Sequence, residues 1–132
     1  MKLQVNTLLA LYSVLDFAAD PQRHIPAAEI ASHYGVSAHH LAKVLAELAR
    51  AGIVESVRGV GGGYRFAANA RRLTLMDVIS LFEDISSPQG EATPADRAIG
   101  TVMAEIDQMA HATFASITIA TMLRLVEKEG EG

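Results

Sequence analysis

Four side chains that can donate hydrogen bonds, Ser37, His39, His40 and Lys43, fall within seven residues, and Arg58 stands just ahead of a run of glycines. Hydroxyl, imidazole, ammonium and guanidinium groups placed this way suit a partner rich in acceptors, such as phosphate oxygens or the O6 and N7 of guanine. Histidine changes charge between about pH 5 and 8, so contacts through His39 and His40 are expected to respond to pH. Acid-base catalysis fits the residues less well. Glu83, Asp84 and Asp96 are dispersed and stand near expected helix ends, where capping and solubility account for them. The sequence has no cysteine, which removes disulfides, thiolate metal sites, cysteine nucleophiles and cysteine-held iron-sulfur clusters together. Five histidines do not make a metal site, because His39 and His40 are adjacent and diverge on a helix, while His24, His33 and His111 lie far apart. Met103, Met109 and Met122 read as core or interface filler. Gly59 to Gly63 lacks the Lys-Ser/Thr ending of a nucleotide-phosphate loop and does not lead directly into a helix. No enzyme, metal or cofactor is expected.

The charge distribution points the same way. The net charge of −4 divides into −1 over residues 1–36, +4 over 37–72 and −7 over 73–132. Attraction to phosphate acts over a Debye length of about 8–10 Å, so a basic middle segment can serve an anion although the whole chain is acidic.

Those donors need elements to hold them. Leu8, Leu11, Tyr12, Leu15, Ala18 and Ala19 recur at helical spacing, predicting an amphipathic helix from Leu3 to Ala19 that Asp20-Pro21 ends. Pro26 suits the first turn of a short helix from Ala27 to about His33, and Tyr34-Gly35-Val36 reads as a tight turn. Ser37 is the expected N-cap of the clearest helix, Ala38 to Ala51, whose Leu41, Val44, Leu45 and Leu48 line one face and which ends at Gly52. Ile53 to Val57 and Tyr64 to Phe66 read as two strands joined by the glycine loop. Thr74 with Asp77 suggests a capping box opening a helix through Phe82, and Ser86 to Glu91 is an irregular connector. From Thr93 onward the apolar residues of a long helix recur at steps of three and four, followed by a helix over Thr118 to Glu129. Periodicity leaves open whether these last two helices are continuous.

The fold class expected is mostly α with a small β-hairpin: a winged helix-turn-helix domain plus a long C-terminal dimerisation helix. The major groove admits one α-helix, so Leu41, Val44 and Leu45 should turn inward while Ala38, His39, Ala42 and Lys43 face the DNA and His40 sits at the margin. Arg58 at the base of the wing can follow the backbone or enter a narrow minor groove, and Arg65, Arg71 and Arg72 can add phosphate contacts.

The run Ser37-Ala-His-His-Leu-Ala-Lys-Val-Leu-Ala-Glu-Leu, with Ala51-Gly-Ile-Val-Glu-Ser-Val-Arg-Gly-Val-Gly-Gly-Gly-Tyr64 after it, strongly resembles the signature of the IscR/NsrR/CymR family of bacterial winged-helix repressors and activators. The resemblance runs from Met1 to about Ile117, and the wing is its most specific part. It implies base and phosphate contacts at Ser37, His39, His40 and Lys43 and at Arg58, Gly59 and Val60 of the wing. It also implies a dimerisation helix at 95–115, with Ile99, Val102, Met103, Ile106, Met109, Ala110 and Phe114 at the interface. Two departures stand out. The three cysteines that hold an iron-sulfur cluster in several members are missing from a shortened 86–93 loop, and Gln4-Val-Asn-Thr lacks the basic residues often found at that end.

The sequence thus predicts a DNA-binding head over 1–83, a connector over 84–94 and dimerisation and C-terminal helices over 95–132. The expected partners are duplex DNA with a near-palindromic site and a second copy of the chain, with an unidentified effector. No 18-residue apolar run or leader is present, so a cytoplasmic bacterial protein is expected. Two other readings stand beside this one. An interaction module that lost DNA binding would have no need of Arg58 and the basic 37–72 segment. A small-molecule-responsive regulator would show a pocket between the 86–93 loop and the long helix.

Overall fold

The computed structural model describes residues 3–59, 62–83 and 93–131. Helices α1 (Val5–Ala19), α2 (Ala27–Tyr34) and α3 (Ala38–Arg50) lead into strands β1 (Val54–Val57) and β2 (Gly63–Phe66), and then into α4 (Leu75–Ile79), α5 (Pro94–Ser116) and α6 (Ile119–Glu131).

Helix α1 forms where expected but its buried face is turned partly away from the expected one: Ala18 is buried and Leu11 and Leu15 pack against the core, while Leu8, Tyr12 and Ala19 are exposed. Leu9, Ala10, Val14, Phe17 and Ala18 enter the core, whereas Leu8 and Tyr12 remain 37% and 44% exposed. Apolar residues surround most of this helix, so spacing alone does not choose a side; packing against α3, α4 and α6 does. The buried face carries two hydroxyls, and both are satisfied: Ser13 Oγ donates to Leu9 O at 2.7 Å, and Thr7 Oγ1 to Glu83 Oε1 at 2.8 Å.

The helix-turn-helix follows its local signals closely. Gly35 takes φ 67° and donates its N–H to Ala31 O, which closes α2 and reverses the chain. Pro26 stands one residue before the helix, as an extended N-cap residue rather than within the first turn. Leu41, Val44, Leu45 and Leu48 are all buried, each contributing about 2 kcal/mol of apolar transfer, and so hold α3 on the domain.

The two strands pair antiparallel, with Val54 opposite Phe66, Glu55 opposite Arg65, Ser56 opposite Tyr64 and Val57 opposite Gly63. The connector between α1 and α2 joins them: Ile25 N–H donates to Tyr64 O at 2.8 Å, and Tyr64 N–H to Ile25 O at 3.0 Å. These bonds tie the base of the wing to the helical core.

The Thr74–Asp77 capping box is present, and α4 ends at Ile79 rather than Phe82. Leu81 N–H turns to Val78 O and Phe82 N–H to Ile79 O, so the last residues tighten into a three-residue turn. The second capping box, Thr93 with Asp96, opens α5 behind Pro94. Helix α6 is separate from α5. Ile117 is extended at φ −108° and ψ 117°, its carbonyl accepts Leu75 N–H at 2.9 Å, and Ile119 N–H donates to Leu73 O at 2.8 Å. Beyond this elbow Ile119 is fully buried and α6 packs on α1, so the C-terminal segment shares the core of the head.

Tyr34 locks the end of α2 to α1. Its ring stacks on those of Tyr12 at 5.1 Å and His33 at 4.6 Å, and its hydroxyl donates to Asp16 Oδ2 at 2.9 Å. Burial first, then the bond and charge of Asp16, push the phenol well above the ordinary tyrosine range. The folded state therefore keeps a proton that the unfolded state releases near pH 10, and stability is expected to fall as pH rises above about 10. Denaturant midpoints at about pH 9 and 11 check this; in Tyr34→Phe the decline should be shallower.

Candidate nucleic-acid interface

The recognition helix α3 opens at Ser37, whose Oγ accepts His40 N–H at 3.0 Å. Capping uses the hydroxyl as an acceptor and leaves its O–H free to donate. Ala38, His39, His40, Ala42 and Lys43 are all exposed, opposite the buried leucines, so the inward and outward faces divide as the spacing predicted. His40 is engaged: its Nε2 lies 2.7 Å from Asn6 Oδ1 on α1. That contact spans 34 residues of sequence, and nothing in the local pattern of α1 announced it.

Arg58 and Gly59 are exposed at the end of β1, and Gly62 N–H donates to Gly59 O at 2.9 Å to close the loop. The backbone around Gly62 and Gly63 leaves little room for a side chain. A Cβ at Gly62 would lie 2.5 Å from Val57 O, and one at Gly63 would lie 2.6 Å from Ile25 O. Val60, expected to touch DNA, lies outside the described residues. So do residues 84–92, with most of the pocket anticipated beside them.

The six cations of the 37–72 segment do not act alike. Arg65 is bound to its cross-strand neighbour Glu55, and Arg50 to Glu47 one turn before it, which neutralises two of the six. Among the described residues Lys43, Arg58, Arg71 and Arg72 form no ion pair and carry the segment's surplus charge. Lys43 and Arg58 belong to the recognition helix and the wing, whereas Arg71 and Arg72 sit in the turn that precedes α4. Arg65 is thus a weaker phosphate candidate than Arg58.

Helix α5 has no buried residue along its 23 positions. Ile99, Val102, Met103, Ile106 and Met109 are 45% to 63% exposed, on one stripe. Ala110 and Phe114 are partly buried, and Phe114 packs against the chain's own core near the elbow. No group of three or more metal-binding side chains occurs among the described residues.

Comparison with known proteins shows the family and the fold. A family model described as Rrf2, iron-dependent transcriptional regulator, matches residues 3–125. A protein of Rhodopseudomonas palustris named as an HTH-type transcriptional regulator, BadM, is 47% identical over 133 aligned positions, covering 98% of this chain and 85% of the relative. The HTH-type transcriptional regulator IscR of Vibrio vulnificus is 36% identical over 85 positions, 64% of this chain and 51% of that protein. The chain thus spans 85% of the first relative but about half of the second. Among solved structures, the global cysteine regulator CymR of B. subtilis superposes with a TM-score of 0.79 at 23% identity, over 95% of this chain and 98% of that one. T. potens IscR gives 0.74 at 26% identity, over 98% and 90%.

Proposed function

Because the chain belongs to the Rrf2 family of transcriptional regulators, and is a non-enzymatic DNA-binding regulator of transcription, we propose that it acts as a homodimer on a near-palindromic operator. In this reading α3 enters the major groove through Ser37, His39, His40 and Lys43, while Arg58, Gly59 and Val60 of the wing meet the flanking backbone or minor groove. The observation that carries it is the placement of unpaired Lys43 and Arg58 on the two exposed elements a winged helix presents to DNA, with Arg65 and Arg50 already neutralised. Arg71 and Arg72 would add peripheral phosphate contacts.

The apolar stripe of α5 would pair with the same stripe of a second copy, leaving residues 1–83 as a head on each protomer, 84–94 as connector and 95–132 as the dimerising and C-terminal segment, whose α6 packs back on the core of the head. Two-fold pairing calls for half-sites about one helical turn, ~34 Å, apart. No helix among the described residues is long and apolar enough to cross a membrane, and the reading places the protein in the bacterial cytoplasm with its DNA. The family's description mentions iron, yet these 132 residues contain no cysteine. A thiolate-held cluster does not fit them, so the effector would be of another kind.

Selection from a randomised duplex library at moderate and high salt tests the reading. Enrichment of an inverted repeat that is lost as salt rises supports it, and retention of no sequence by a folded dimer opposes it. On the selected operator, Arg58→Ala is expected to weaken binding about tenfold and to reduce the salt slope by about one phosphate contact. Equal affinity across the salt range would remove the wing arginine from the interface.

A further inference from the structure

The start of α1 lies against the start of α3, and the contact between them has a chemical direction. An amide oxygen can only accept, so the 2.7 Å contact between Asn6 Oδ1 and His40 Nε2 requires the proton on Nε2. A neutral imidazole holds one N–H, which leaves Nδ1 with a lone pair. His40 is exposed, and no other side chain bonds to its ring among the described residues. The backbone that carries Asn6 is itself held in place. Glu83 Oε1 accepts Gln4 N–H at 2.7 Å and Thr7 O–H at 2.8 Å, which pins the first turn of α1 on both sides of Asn6, and Thr7 is fully buried.

We propose that Asn6 is a positioning residue for base recognition, orienting His40 so that its ring meets the major groove as a hydrogen-bond acceptor. This rests on the reading that α3 enters that groove. An acceptor selects the amino groups of the groove, adenine N6 and cytosine N4, and disfavours guanine O6 and N7, thymine O4 and phosphate oxygens. An unrestrained histidine can present either an N–H or a lone pair and discriminates less. Asn6 therefore narrows His40 from a general donor, as its residue type alone suggests, to a reader of amino-bearing bases.

The test uses the selected operator and a panel of its single base-pair variants, including one in which each adenine in turn is replaced by purine lacking the 6-amino group. The unchanged chain should favour an amino-bearing base at one position of each half-site by about fivefold to tenfold. His40→Ala should lose that preference at that position only. Asn6→Ala should lose it at the same position, with nonspecific affinity kept and Tm within about 2 °C, since the pair is exposed. The double variant should match His40→Ala. The proposal is overturned if Asn6→Ala keeps the preference, if it weakens every duplex equally, or if its effect adds to that of His40→Ala. Failure of the underlying reading looks different: the unchanged chain would show no base preference, and Lys43→Ala and Arg58→Ala would bind as it does.

Discussion

Ile106→Lys is expected to sediment as a monomer and to bind a two-fold operator about a hundredfold more weakly than the unchanged chain, while its far-ultraviolet circular dichroism stays the same. Ile106 lies near the middle of α5 and is 45% exposed in the single protomer. Its removal therefore takes little from the chain's own core. A 23-residue helix that fully buries none of its side chains gains little stability alone in water, so its exposed stripe of isoleucine, valine and methionine calls for a second surface. An ammonium at the centre of that seam would have to leave water without a partner charge. Once the copies separate, each head holds one half-site and the second contact is no longer intramolecular. Sedimentation at micromolar protein and an operator titration check both halves. A dimer that binds as before would move the interface away from this stripe.

Gly63→Ala is expected to destabilise the chain by about 3 kcal/mol, roughly 10 °C in Tm for a domain of this size. Gly63 has φ 151°, which side-chain-bearing residues rarely adopt. The added Cβ would also stand 2.6 Å from Ile25 O and 2.8 Å from Pro26 N, both backbone atoms that cannot rotate aside. Relief would require breaking the two hydrogen bonds between Ile25 and Tyr64 that anchor the wing. Gly59→Ala is the comparison: its φ is 106°, but nothing lies within 4 Å of the new methyl, so it should lose about 1 kcal/mol, from backbone strain alone. Thermal unfolding of the two variants side by side decides the point. Equal losses would mean that strain, and not the collision with Ile25, sets the penalty.

Elements whose signals are local were legible in the sequence. Ser37, Thr74 and Thr93 cap as their neighbours suggested, Gly35 and Gly52 take positive φ, and the recognition helix divides into the faces its leucines dictate. Reading failed where the deciding partner is distant. The buried side of α1 is set by other helices rather than by its own spacing alone, so Leu8 and Tyr12 share the helical rhythm of Leu11, Leu15 and Ala18 and yet are exposed. The break before α6 is not decided by the sequence because Ile117 continues the apolar rhythm, and its backbone turns aside only to pair with Leu75 at the start of α4. In the candidate site the donors of α3 and the wing were recognisable from residue type. Their electrostatic ranking was not, because Glu55 finds Arg65 through strand register and Asn6 finds His40 through tertiary packing.

The elbow at Ile117 also has a mechanical meaning. It is stitched to the head through Leu75, Leu73 and Ala70, the last by Ala120 N–H to Ala70 O at 2.8 Å, so α5 leaves the head from a stiff hinge. The helix extends 23 residues, about 34 Å at ~1.5 Å per residue. It is a lever of that length with its fulcrum at one end. A tilt of only about 6° at the fulcrum moves the far tip by about 3.4 Å, the rise of one base pair. In a pair of chains joined along α5, a signal would need to bend this joint by only a few degrees to slide the two reading heads out of phase with their half-sites.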